Sequence, residues 1–125
     1  MIVKKITITI NDVKMSAELN DSNTAQSIWD ALPIEGRVNT WGDEVYFSIP
    51  VNAELENAKD VVSEGDLGYW PPGSAFCIFF GTTPVSRGNE IRAASPVNIF
   101  GKIIGDSKVF KKASSGAKII IEKSK

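Results

Sequence analysis

Residues 65–84 read GDLGYWPPGSAFCIFFGTTP, and this stretch decides the fold. Its centre, Ala75 to Phe80, is a continuous apolar run of strand length, which is typical of a β-strand buried on both faces. The turn signals Pro71-Pro72-Gly73 and Gly81-Thr82-Thr83-Pro84 bound this run on either side. We therefore predict a central, two-sided strand in a mostly β protein.

Isoleucine-rich strands stand at both ends of the chain. Residues 2–10 place three isoleucines two positions apart on one face, and residues 13–19 alternate again after an Asn-Asp turn, which predicts a hairpin. Residues 117–121 form the last predicted strand. Unpaired strands of this kind are aggregation-prone edges, so we expect the two terminal strands to pair with each other.

One helix is indicated at about residues 23–32. Asn23 can cap it, with Gln26 three positions later, and Pro33 ends it. The other predicted elements are short strands within 37–41, 44–51 and 97–104, a short helix from Asp106 to Lys112, and polar connections at 52–63 and 85–96. In the strand over 44–51, Val45, Phe47 and Ile49 face one way and Glu44, Tyr46 and Ser48 the other. About eight short strands and one helix favour a barrel or a sandwich.

Composition and charge limit the classes of function that are possible. The chain has 125 residues, 42% of them apolar and 23% charged, so we expect a single domain over residues 1–125. Fourteen basic and fifteen acidic residues give a net charge of −1, which argues against a nucleic-acid or anionic-membrane partner. The chain contains no histidine, which excludes Ser-His, Cys-His and His-zinc mechanisms. We expect no metal and no cofactor.

The single cysteine indicates the compartment. Cys77 cannot form an intramolecular disulfide, and the N-terminal sequence lacks the regions of a signal peptide, so we expect a cytoplasmic protein. No apolar run approaches the ~20 residues of a membrane span. Within its apolar run, Cys77 is expected to behave as a small hydrophobic side chain rather than as a nucleophile.

Several stretches resemble a known family. Residues 74–83 and 98–103 are similar to the cyclophilin pattern, in which an aromatic strand precedes a Val-Phe-Gly-Lys-Val strand. Residues 41–47, 65–73 and 79–84 resemble small prokaryotic proteins of unassigned function that are described as cyclophilin-like. The likeness extends over nearly the whole chain. It implies a closed eight-stranded β-barrel capped by one helix.

The resemblance also implies a comparison with cyclophilin catalysis. Cyclophilins isomerise X-Pro bonds, whose uncatalysed barrier is ~18–20 kcal/mol, with an apolar pocket for the proline ring and an arginine beside the twisted amide. Arg37 stands at about the place of that arginine but follows Glu35-Gly36, where cyclophilins have a Phe-His pair. The pocket histidine is absent, residues 45–48 replace a Phe-Met-x-Gln segment, and Phe79 or Phe80 matches a pocket phenylalanine. The scaffold is therefore present without most of the catalytic set.

The candidate ligand-binding residues are an arginine, a carboxylate and four aromatic side chains: Arg37, Trp41, Glu44, Tyr46, Tyr69 and Phe79. Aromatic side chains on a concave surface give large contact areas, although core packing is the alternative for each of them. Trp70 precedes two prolines and is assigned to packing at a turn. Asp43 and Glu44 are adjacent on the strand, so their side chains should diverge and not form an acid–base pair.

These residues favour a binding module for a peptide segment or a small molecule, without isomerase activity. One alternative is an atypical peptidyl-prolyl isomerase in which Arg37 acts as the catalytic residue beside an apolar pocket. The other is a domain that associates with a partner protein. Isomerisation that is lost in Arg37→Ala would distinguish the first alternative from a binding module.

Overall fold

The computed structural model describes residues 4–124. These residues form one α-helix, α1 (Asn23–Ala31), two 3₁₀ segments at Pro71–Gly73 and Ser107–Lys112, and ten strands. The strands are β1 (Lys5–Ile10), β2 (Val13–Leu19), β3 (Ile34–Arg37), β4 (Asn39–Thr40), β5 (Glu44–Ser48), β6 (Lys59–Val62), β7 (Asp66–Trp70), β8 (Ala75–Phe79), β9 (Ile91–Ile104) and β10 (Lys118–Lys123). The predicted first strand began at Ile2, and residues 1–3 lie outside the described part. No helix within residues 4–124 is long and apolar enough to cross a membrane.

The two terminal strands pair with each other, which confirms the prediction. β1 lies between β2 and β10 and is antiparallel to both, with Ile8 opposite Met15 on one side and Ile121 on the other. The three alternating isoleucines of β1 are buried in the main core, together with Ile119 and Ile121 of β10. Pairing therefore satisfies the backbone hydrogen bonds between the two isoleucine-rich strands. Their alternate isoleucine side chains face the core.

The sheet is open, so the predicted closed eight-stranded barrel is wrong. The strand order is β3-β10-β1-β2-β9-β7-β8-β5-β4, and β6 pairs with β9 outside this path. The two edge strands, β3 and β4, follow each other directly in the chain. β3 pairs with β10 and β4 pairs with β5, and Val38 between them bonds to the backbone of Gly116 and Ala117. Within residues 4–124 no ladder joins β3 to β4, because this segment changes partner along its length.

β8 is buried on both faces, as its apolar run predicts. One face places Phe76 in the main core, where its ring lies 5.6 Å from Phe47 and 5.0 Å from Phe100. The other face places Cys77 and Phe79 in a second apolar cluster, which includes residues of β6 and β9. β5 follows the predicted alternation, since Val45 and Phe47 enter the main core and Tyr46 packs against the second cluster. The candidate site lies on this second face.

The helix is confirmed, although its cap is Ser22 rather than Asn23. The Ser22 hydroxyl accepts a hydrogen bond from the Ala25 N–H at 3.1 Å. The Glu56 carboxylate accepts from the N–H groups of Asn23 and Thr24 at 3.0 and 2.9 Å, and these bonds lower the pKa of Glu56. The backbone N–H of Asn23, the predicted cap residue, therefore donates to the side chain of Glu56, which is far away in the sequence. The buried side of α1 packs Ile28 into the main core.

Two segments that the sequence predicts as connections contain strand. β6 lies within residues 52–63, and β9 begins at Ile91 within residues 85–96. The ladder between β6 and β9 is irregular, with a register shift between Lys59 and Val61. Pro96 interrupts the donor pattern of β9, and a proline inside a strand weakens its sequence signal. Both features hide the strand character of these segments.

Candidate functional site

A pocket of about 270 Å³ opens on the second face of the sheet, where β5, β7, β8 and the first half of β9 meet. Its lining is mostly apolar, with two tryptophans, one tyrosine and one carboxyl: Trp41, Glu44, Tyr46, Trp70, Cys77, Ala93, Ala94 and Val97. We call it the tryptophan pocket. Ligand pockets in proteins span about 300–1,000 Å³, so this one suits a small molecule or a single side chain.

A tight turn brings Trp41 and Glu44 to the same pocket. The Trp41 N–H donates to the Glu44 carbonyl oxygen at 2.9 Å, and Gly42 between them has a φ of 62°. A side chain at Gly42 would be strained at this φ and would meet Pro84 at 2.9 Å. Glycine is therefore required where the chain turns from Trp41 into β5.

The same turn is tied to the end of β8. Asp43 donates its N–H to the Thr82 carbonyl and accepts at its own carbonyl from the Phe80 N–H, both at 2.9 Å. A Cβ atom at Gly81 would lie 2.8 Å from the Cβ atom of Asp43, so the two segments approach as closely as a glycine allows. The Asp43 carboxylate pairs with Lys111 at 3.9 Å. Asp43 and Glu44 thus diverge, as predicted, and only Glu44 lines the pocket.

Trp70 forms a fixed wall of the pocket. Its indole Nε1–H donates to the Ser95 hydroxyl at 2.6 Å, which ties the end of β7 to β9. Its ring also covers Gly73, where a Cβ atom would lie 2.9 Å from Cζ3. The hydrogen bond and the ring contact hold the indole in one orientation, so the wall is formed before any ligand arrives.

The floor of the pocket is closely packed. A Cβ atom at Gly68 would lie 2.9 Å from the Val97 side chain and 3.1 Å from that of Phe79. Above this layer, Ala93 and Ala94 occupy the positions on β9 that border the pocket. The small side chains of these alanines leave the volume that a larger residue would fill.

Glu44 is the single carboxyl in this lining and is 5% exposed. Burial raises the pKa of Glu44 from 4.5 to about 7, and a hydrogen bond from the Cys77 thiol offsets part of the rise. Within residues 4–124, Glu44 takes part in no salt bridge. Near neutral pH the carboxyl can therefore donate a hydrogen bond when protonated, or bind a positive group when ionised.

Cys77 lies beside Glu44 and is chemically protected. Its Sγ atom is 3.9 Å from the Ala75 carbonyl oxygen, so the thiol can donate there or to the Glu44 carboxyl. Burial first, and then the charge of Glu44, raises the pKa of the Cys77 thiol well above its usual value. Since the thiolate is the nucleophile, these surroundings suit a packing residue.

The structure brings three of the six candidate residues together, because Trp41, Glu44 and Tyr46 all line the tryptophan pocket. Tyr69 lies in the main core instead, where its hydroxyl donates to the Val51 carbonyl at 2.6 Å and accepts from the Ala53 N–H at 3.2 Å. Phe79 is fully buried in the second cluster beneath the pocket. These two aromatic side chains pack the protein on opposite faces of the sheet.

Arg37 does not line the tryptophan pocket. It lies at the end of β3, at the edge of the sheet, and its guanidinium donates to the Gly116 carbonyl at 2.9 Å. The depression around it is lined by Glu35, Gly36, Arg37 and Lys118. The structure thus separates Arg37 from the aromatic residues with which the sequence grouped it.

Sequence reasoning missed the rest of the lining. Trp70 was assigned to turn packing, although its indole N–H was a signal, because a partly buried tryptophan needs a hydrogen-bond partner and Ser95 supplies one. Ala93, Ala94 and Val97 fall in or next to the segment predicted as a loop, so no pattern pointed to them. Among the described residues, no group of three or more acidic or cysteine side chains is placed to hold a metal ion.

Comparisons with known proteins agree with this architecture. A family model described as cyclophilin-like matches residues 4–122. The chain is also similar to a hypothetical protein from Archaeoglobus fulgidus whose solution structure is known, with 39% identity and a TM-score of 0.83. That match covers 98% of this chain and 95% of the archaeal one. No curated protein matches the sequence.

Proposed function

This chain belongs to the cyclophilin-like family, and on that premise we propose that it is a binding module whose tryptophan pocket takes a small molecule or one side chain of a peptide segment. The observation that carries the proposal is the Glu44 carboxyl, buried in the wall of an otherwise apolar pocket. An isolated carboxyl in such surroundings lowers stability, and groups with strongly shifted pKa values cluster at functional sites. The cost of keeping Glu44 here is offset if it contacts a ligand.

The pocket is organised in advance, which supports a binding role. The turn at Trp41 is fixed by backbone hydrogen bonds to the end of β8, and the Trp70 indole is fixed by Ser95. A ligand that enters such a pocket loses little affinity to ordering the protein. The expected setting is the cytoplasm, where the free thiol of Cys77 stays reduced.

The position of Arg37 favours a binding function over isomerase activity. An arginine that polarises a proline amide must lie beside the ring pocket, whereas Arg37 bonds to Gly116 at a sheet edge and is absent from the pocket lining. The proposed module therefore binds without isomerising. Association with a partner protein stays a separate prediction.

A fragment titration followed by NMR tests the site. The chain has three tryptophans, and Trp29 on α1 lies apart from the pocket lining, so its indole N–H serves as an internal control. We expect small aromatic fragments, neutral and charged, to shift the indole signals of Trp41 and Trp70 and to leave that of Trp29 in place. Trp41→Ala should weaken the binding, and Arg37→Ala should leave it unchanged.

Shifts that centre on Arg37 and Lys118, or binding that survives Trp41→Ala, would contradict this placement. An isomerase assay without a coupling protease, on a fluorescent Xaa-Pro peptide, addresses the alternative activity. We expect the relaxation rate in the presence of the protein to equal the uncatalysed rate. Acceleration by the wild type that is lost in Arg37→Ala would establish the isomerase instead.

A further inference from the structure

The lining of the tryptophan pocket can carry negative charge but no positive charge. Its lining contains the Glu44 carboxyl and the aromatic rings of Trp41, Tyr46 and Trp70, and no lysine or arginine. The faces of aromatic rings carry negative electrostatic potential and attract cations, tryptophan most strongly. The ionised carboxylate and the aromatic ring faces of the lining therefore favour a positively charged group over a negative one.

Two basic side chains beside the pocket are paired with carboxylates, and a third, Lys59 of β6, stands opposite Val97 but does not line the pocket. Arg92 on β9 binds Glu90 at 2.6 Å and Asp60 at 3.1 Å. Lys111 pairs with Asp43 at 3.9 Å, on the far side of the turn that carries Glu44. Neither cation is among the residues that line the pocket. An ionised Glu44 thus lacks a partner of opposite charge within the described residues, and a ligand can supply it.

We propose that the tryptophan pocket selects a small organic ammonium ion, with its charged nitrogen against the Glu44 carboxylate and its apolar body between Trp41 and Trp70. The proposal rests on the binding function inferred above and specifies its ligand class. The pocket volume of about 270 Å³ limits the ligand to a small molecule. An ammonium group with one or more apolar substituents satisfies the carboxylate, the aromatic walls and the alanines of β9 together.

Recognition of this kind depends on pH. Burial gives Glu44 a pKa of about 7, and the ammonium binds the ionised form. The other ionisable side chains in the lining are Tyr46 on β5 and Cys77 on β8, and burial keeps the Cys77 thiol protonated. Trp41 after β4, Trp70 of β7 and the lining residues of β9 are uncharged. Affinity should therefore follow the ionised fraction of Glu44 and rise about tenfold from pH 6 to pH 8.

A matched set of probes separates charge from shape. Benzylammonium, benzyl alcohol and benzoate share one ring and differ in charge, and isothermal titration calorimetry gives their affinities at pH 6, 7 and 8. We expect benzylammonium to bind most tightly, with affinity that rises with pH. Glu44→Gln keeps the shape of the side chain and should weaken benzylammonium about tenfold or more at pH 8. Glu18→Gln, which removes an exposed carboxylate on β2, should leave all three affinities unchanged.

The outcomes distinguish failure of the cation proposal from failure of the binding function on which it rests. Equal affinity for benzylammonium and benzyl alcohol, with no effect of pH or of Glu44→Gln, would overturn the cation proposal and leave a neutral-ligand pocket. Tighter binding of benzoate would also overturn it. If none of the three probes binds, the binding function itself fails at this pocket. Retained binding of benzyl alcohol by Glu44→Gln shows that the variant keeps its pocket, so a loss of benzylammonium alone supports the proposal.

Discussion

Glu44 and Cys77 lie diagonally across the ladder between β5 and β8, and both line the tryptophan pocket. Glu44 is opposite Phe79 in this ladder, and Cys77 is opposite Tyr46, so both side chains emerge on the second face of the sheet. Burial raises the pKa of each, and the charge of Glu44 raises that of Cys77 further. One pair thus combines a carboxyl that titrates near neutral pH with a thiol that does not.

The first prediction is a loss of stability between pH 4.5 and 7. Unfolded Glu44 loses its proton near 4.5 and folded Glu44 near 7, so between these values the folded state holds a proton that the unfolded state has lost. The free energy of unfolding should therefore fall by about 3 kcal/mol as pH rises through this range, and level off above it. Urea denaturation at pH 5, 6, 7 and 8 measures the change.

Glu44→Gln is the matched variant for this measurement. Its amide does not titrate, so the pH dependence between 4.5 and 7 should flatten, whereas Glu18→Gln should keep it. Glu56 and Glu90 have lowered pKa values, so their contributions to stability are lost only in more acidic solution. A wild-type stability that rises with pH over this range would contradict the assignment.

The second prediction concerns the reactivity of Cys77. The thiolate reacts with disulfide reagents, and the buried Cys77 has a pKa well above its usual value. We expect native protein to react with Ellman's reagent at least about tenfold more slowly than urea-unfolded protein. Equal rates in the two states, measured by absorbance, would show that the thiol is exposed and that the pocket floor is not packed as described.

The third prediction concerns the start of α1. The Ser22 hydroxyl accepts from the Ala25 N–H, so Ser22→Ala should lower the free energy of unfolding by about 1 kcal/mol. Ser22→Asp can still accept this hydrogen bond and should retain most of the stability. Denaturant midpoints of the two variants at pH 7 make the comparison, and equal losses in both would exclude the capping role.

Side-chain alternation predicts which face a residue occupies better than which strand it pairs with. Ile8 in β1 and Phe47 in β5 both face the core that their spacing indicated. The opening of the sheet could not be found this way, because it depends on Val38 pairing with Gly116 and Ala117 while Asn39 pairs with Tyr46. Alternation carries no information about such a change of partner.

The candidate site was predictable where residue chemistry is local. Trp41, Glu44 and Tyr46 are close in sequence and share the pocket, whereas Arg37, only four residues before Trp41, lies outside its lining. The chain changes partner between Arg37 and Trp41, because Val38 bonds to Gly116 and Ala117 whereas Thr40 pairs with Val45. The lining residues of β9 reach the pocket through pairing between strands far apart in the chain. Such pairing cannot be predicted from the residue pattern of one sequence.

The most direct test of Glu44 as the centre of the binding site is a carbon-13 NMR titration of its carboxyl, with and without benzylammonium. Without the probe, we expect a midpoint at about pH 7. With saturating probe, the positive charge stabilises the carboxylate, and the midpoint should move down by about one unit or more. A midpoint near the ordinary 4.5 in the free protein, or one that the probe leaves unchanged, would contradict the claim that this buried carboxyl is the centre of the binding site.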